Sequence, residues 1–124
     1  MGKRIILVLS IFAVLLCLLQ VNIKAANKGG YKIIDINIYK NTPAWDLALA
    51  VNDRNSRSIT QIVKKKPNLL NYQDPKYGAT LLLWAVGMEK YKSAETLLKC
   101  GADPNIASTI VGETPLFLAA GYSW

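Results

Sequence analysis

The chain is 124 residues long and carries 15 Lys+Arg against 8 Asp+Glu, a formal charge of +7, with two cysteines and no histidine. That length sets the expectation of one domain, and the missing histidine removes the commonest general base and the commonest zinc ligand together. Lys3, Arg4 and Lys24 supply three of the positive charges, which leaves +4 from Ala26 onward, mildly basic and short of a nucleic-acid footprint.

Residues 1–25 are read as a signal peptide or membrane anchor. Lys3 and Arg4 form a short positive start, residues 5–19 are apolar apart from Ser10, and the segment turns polar and ends in Ile23-Lys24-Ala25-Ala26. This order is that of a secretory signal, with cleavage expected after Ala25. A lipoprotein signal is rejected because Leu16, not a small residue, precedes Cys17. The rival is an uncleaved anchor: residues 5–23 are close to the roughly 20 needed to span a bilayer. Charges lie on both flanks, Lys3 and Arg4 before and Lys24, Lys28 and Lys32 after, so they do not set an orientation. The expected location is extracytoplasmic, periplasmic or secreted, with membrane anchoring by residues 5–23 as the alternative. Cleavage would leave Cys100 as the only cysteine, so no internal disulfide is expected and packing alone must hold the fold.

Residues 26–40 form a linker and lead-in. Residues 26–30 are small and flexible in type. Beyond them Ile34, Ile36 and Ile38 alternate with Asp35 and Asn37, a strand-like pattern. The favoured reading is an extended lead-in packed on the first folded unit after it; an edge strand pairing with a partner is the other.

From residue 41 the sequence repeats. Gly78-Ala79-Thr80-Leu81-Leu82-Leu83-Trp84-Ala85 aligns with Gly112-Glu113-Thr114-Pro115-Leu116-Phe117-Leu118-Ala119 at an offset of 34, and Leu97-Leu98-Lys99-Cys100-Gly101-Ala102-Asp103-Pro104-Asn105 lies between. Thr80 and Thr114 are expected helix caps. Pro115 comes next, at the first helical position, where its missing N–H is harmless. Ala85 and Ala119 are small enough for neighbouring units to approach. Leu97 and Leu98 end a second helix, and Gly101 can take the left-handed conformation that terminates it. Ala102 opens a loop running to Gly112, with turn chemistry from Asp103, Pro104 and Asn105. Upstream, Leu49-Ala50-Val51 matches Trp84-Ala85-Val86, Ile62-Val63 takes the place of Leu97-Leu98, and the stretch from Lys66 to Asn71 replaces the loop. Thr42 is expected to cap a longer first helix.

Both halves of this pattern, in order and at the right spacing, resemble the ankyrin repeat, whose period is about 33 with a Thr-Pro-Leu-His-x-Ala core. The resemblance implies an all-α solenoid of helix-turn-helix units with extended loops, preceded here by the signal or anchor helix. The expected units within residues 41–124 are a degenerate first repeat at 41–74, a complete repeat at 75–107 and a partial one at 108–124. Three departures stand out. The family's His is Leu83 in one unit and Phe117 in the next, so the tie it makes between adjacent loops is expected to be apolar or absent. The Gly-His pair between the helices is Glu89-Lys90. The loop from Ser108 to Gly112 is one residue longer than the family's, which accounts for the offset of 34. Leu116, Phe117 and Leu118 lack a following helix, so a fragment of a longer array or a truncated product is expected.

The resemblance implies a protein partner met by loop tips and inner helices. The positions that match are Lys76, Tyr77 and Ala79 in one unit, Thr109, Ile110, Val111 and Glu113 in the next, and Met88 beside Gly87 at the end of the inner helix. Trp84 reads as core and Cys100 as a small filler. Lys64-Lys65-Lys66 reads as a solvated helix end suited to the helix dipole. The carboxylates are scattered singly, no serine has a histidine to activate it, and there is no phosphate loop or metal-ligand spacing. No enzyme activity, cofactor, metal or nucleic acid is therefore expected, and membrane contact only through an uncleaved N-terminal segment. The alternatives are a membrane-tethered scaffold, or the targeting module of a longer chain with an enzyme domain beyond Trp124.

Overall fold

The computed structural model describes residues 35–110 and 112–122. The expectations for residues 1–25 and for the linker up to residue 34 lie outside the described residues. Within the described residues five α-helices succeed one another: α1 (Trp45–Asn52), α2 (Ser56–Lys65), α3 (Leu81–Gly87), α4 (Tyr91–Lys99) and α5 (Pro115–Tyr122). Short 3-10 turns cover Ile36–Tyr39 and Pro67–Leu69. No strand occurs among the described residues, and the fold is the all-α one expected. None of the described helices is long and apolar enough to cross a membrane.

The helices form two rows. α1, α3 and α5 stack in one row, α2 and α4 in the other, and α1 and α3 each pair with the outer helix that follows. Leu47, Val51, Ile59, Leu81, Leu82 and Leu97 are fully or almost fully buried between the rows. Trp84 is core as expected, although its indole N–H has no acceptor. Polar bonds cross between units: Ser93 Oγ donates to Val51 O at 2.6 Å, and Lys90 Nζ to Asn52 O at 3.1 Å.

Caps and stops reflect the local chemistry. Thr80 Oγ1 accepts from Leu83 N and Thr114 Oγ1 from Phe117 N, both at 3.1 Å. Gly101 terminates α4 at φ +99°, with Ala102 N reaching back to Leu97 O at 3.0 Å. The same closure ends α1 and α3, where Asn55 N bonds Ala50 O at 2.9 Å and Lys90 N bonds Ala85 O at 2.8 Å. There the left-handed residues are Arg54 and Glu89, each at φ +55°. These are residues for which that conformation costs about 1–2 kcal/mol.

Two local expectations are corrected. Thr42 does not cap α1: the cap position is Ala44, and Thr42 closes a turn, donating to Tyr39 O at 2.6 Å and accepting from Ala44 N at 3.2 Å. Nor is the described part of the lead-in extended. Asp35 accepts from Asn37 N at 2.9 Å and starts a 3-10 turn. That turn sets Ile36 and Tyr39 three residues apart, on one side. Ile36 and Ile38 pack on the core and Tyr39 is fully buried, so the packing of the lead-in on the first repeat survives the change of conformation.

Candidate protein-binding surface

Each inner helix after the first is entered through a tight loop whose tip faces solvent. In residues 74–79, Asp74 is 2% exposed and its carboxylate accepts three backbone N–H groups: Lys76 at 2.9 Å, Tyr77 at 2.8 Å and Ala79 at 2.7 Å. A buried carboxylate needs such donors in place of water. The loop closes through Asp74 N to Ala79 O at 3.0 Å and Gly78 N to Asp74 O at 2.9 Å. From the lead-in, Tyr39 OH donates to Ala79 O at 2.8 Å. Burial, and then the charge of Asp74, hold the Tyr39 phenol well above its ordinary value of 10.0, so it stays a donor.

The second loop, residues 108–113, repeats this backbone at an offset of 34. Ser108 N bonds Glu113 O at 2.9 Å and Gly112 N bonds Ser108 O at 3.0 Å. Ser108 occupies the place of Asp74 and is buried, but its hydroxyl has no partner. The two loops therefore have equal length within this chain.

The loops are tied to one another by polar bonds. Thr109 N donates to Tyr77 O at 3.0 Å, Gln73 Nε2 donates to Gly78 O at 2.8 Å and Ala107 O at 3.1 Å, and Asp103 N donates to Asn71 Oδ1 at 2.9 Å. The expectation of an apolar or absent tie is thus corrected: the tie is polar, and Gln73 is part of it. Contact is so close that a Cβ on Gly78, at φ +65°, would collide with the Thr109 side chain and come within 2.8 Å of its backbone nitrogen.

A family model for the ankyrin repeat matches residues 77–109, which contain α3, α4 and the first two residues of the second loop. This part of the chain is an ankyrin repeat. No curated protein and no solved structure matches the chain. Ankyrin repeats serve as protein-interaction modules and are not catalytic. No three metal-ligating side chains come together among the described residues.

Lys76, Tyr77, Thr109 and Ile110 come together at the linked tips. Ile110 is 61% exposed. Lys76 is exposed, with its ammonium 4.9 Å from the centre of the Tyr77 ring. The hydrogen bond to Tyr77 holds the Lys76 ammonium above its usual range, so it is fully charged at neutral pH. Glu113 is half-buried, and burial raises its carboxyl pKa. Ala79 is corrected: it is fully buried, with its N–H held by Asp74 and its carbonyl by Tyr39, and offers nothing to a partner. Met88 stands at the end of the inner helix: it is the half-buried C-cap of α3, about 12 Å from the Thr80 end. Val111 lies outside the described residues.

Sequence reading missed Asp74, Gln73 and Tyr39. The signal for Asp74 was present, because the repeat alignment extends upstream to pair Asp74 with Ser108, both residues whose side chains bond nearby backbone. Nothing local marks Tyr39, whose partner is 40 residues away.

Proposed function

We propose that this chain is an exported, non-catalytic binding module that holds a protein partner across its two linked loop tips. The observation that carries this is the presentation of Tyr77, Lys76, Thr109 and Ile110 on backbone fixed by Asp74, Gln73 and the bond between the tips. A surface already ordered loses little conformational freedom on binding. Tyr77 offers a large ring at low entropic cost, and Ile110 an exposed apolar contact beside it. Export rests on the order of charges and apolar residues in the first 25 positions. The apolar stretch also suits a tethered scaffold, and the mature N-terminus separates the two: a start at Ala26 removes the tether. For the surface itself, the full chain is used as bait in the extracytoplasmic fraction, beside the Tyr77→Ala and Ile110→Ala variants. Each variant is expected to weaken capture about tenfold or more. Return of the same partners at unchanged strength sinks the assignment of the tips.

A further inference from the structure

The outer helices carry a feature that the tips leave unused. α2 and α4 lie side by side, joined by Thr96 Oγ1 to Ser56 Oγ at 2.9 Å, and their basic residues repeat in register at an offset of 35. Arg57 matches Lys92 near the helix starts, and Lys64 matches Lys99 near the ends; Lys65 and Lys66 extend the latter edge. All six side chains are exposed. Seven residues along a helix are about 10 Å, two turns on one face, and neighbouring helices stand about 8–10 Å apart. The cations therefore lie along two adjacent, staggered helices, the start of α2 meeting the latter half of α4 at Ser56 and Thr96. One acidic residue interrupts it, Glu95, which bonds Lys99 at 2.9 Å while both remain more than half exposed. Every other Asp and Glu of the chain lies outside these two helices.

Helix energetics account for only half of this pattern. Lys64, Lys65 and Lys99 stand in last turns, where the dipole favours cations. Arg57 and Lys92 stand in first turns, where it disfavours them, and neither first turn holds an acidic residue. Matched like charges on adjacent helices add mild repulsion, which an anionic surface would relieve.

We infer that the α2–α4 face is a docking surface for an anionic bilayer, resting flat on lipid headgroups. Three observations favour lipid over another polyanion. The face carries six exposed cations against the single carboxylate of Glu95. Tyr91, half exposed at its edge, is the residue type that settles at a membrane interface. The same sequence carries an apolar run at residues 5–23, and stable membrane association combines an apolar signal with a basic one. The inference is independent of the tip assignment, since the outer helices and the tips are different surfaces.

The test uses the full chain and two vesicle preparations, phosphatidylcholine alone and phosphatidylcholine with about 30% phosphatidylglycerol, at about 0.1 M salt. The ratio of partition coefficients cancels whatever the apolar run contributes to both. A ratio on the order of a hundredfold is expected. Lys64→Ser with Lys99→Ser lowers it about tenfold, and Glu95→Lys raises it severalfold. The charge-matched pair Lys40→Ser with Arg54→Ser, off the face, changes it less than about twofold. A ratio near one overturns the proposal, as do equal losses in the two double variants. If polyglutamate is bound in preference to anionic vesicles, and the face double variant abolishes that, the lipid assignment falls in favour of an acidic protein. Should the face double variant fail to fold by circular dichroism, the gain expected of Glu95→Lys decides.

Discussion

The two tip loops have the same backbone and different anchors. In residues 74–79 a buried carboxylate takes three N–H groups; in residues 108–113 a serine stands in its place with a hydroxyl that bonds nothing. The backbone closures are equivalent, so the turn is set by the chain's own hydrogen bonds and by glycine at Gly78 and Gly112. What the carboxylate adds is rigidity and a requirement. Its charge is buried on condition that every donor stays in place.

Substitutions can break or sharpen that contrast. The largest effect is expected of Asp74→Ala, which strands three backbone N–H groups and should cost about 4 kcal/mol in urea unfolding, whereas Ser108→Ala should cost almost nothing. Next come the glycines. Gly78→Ala meets both a left-handed φ and the backbone of Thr109, and should cost about 3 kcal/mol; Gly112→Ala has open space and only the φ penalty, about 1 kcal/mol. A gain is expected from making the loops alike. Ser108→Asp supplies a carboxylate to the N–H groups of Ile110 and Glu113, at the positions of Lys76 and Ala79, and should stabilise by about 1 kcal/mol.

The smallest effect is that of pH on Glu113. Its carboxyl pKa is raised above 4.5 by burial, so the native state holds its proton more tightly than the unfolded chain. That stability is fully present below pH 4.5 and is lost as pH rises through the folded value. Glu113→Gln should therefore be slightly more stable than the parent at pH 7, with the gap closing at pH 4, read from unfolding midpoints.

Much of this was legible in the sequence. Thr80, Thr114, Pro115 and Gly101 act within one turn of their own positions, and such features survive in any context that lets the helix form. The succession of helical units was implied by the ankyrin resemblance, and Trp84 was read as core. The misreadings share a physical cause. Thr42 looked like a cap because Thr-Pro is one elsewhere, but here the hydroxyl bonds back to Tyr39. The alternating isoleucines suggested a strand, but Asp35 closes a tighter turn, and no neighbouring strand is described with which they could pair. The loop tie was expected to be apolar or absent without the family's His, yet Gln73, whose acceptors are 5 and 34 residues away, makes a polar one. Contacts set by tertiary distance leave no local mark.

The bond from Tyr39 to Ala79 bears on the order in which the chain takes shape. Solenoids generally assemble by adding neighbours one at a time. Here the lead-in cannot finish until a carbonyl 40 residues later exists, which at about 5–20 residues per second emerges from the ribosome about 2–8 s after Tyr39 does. During that interval the Tyr39 hydroxyl lacks the carbonyl to which it donates in the folded chain. The N-terminal unit therefore completes itself only once the entry loop of the next repeat has been made.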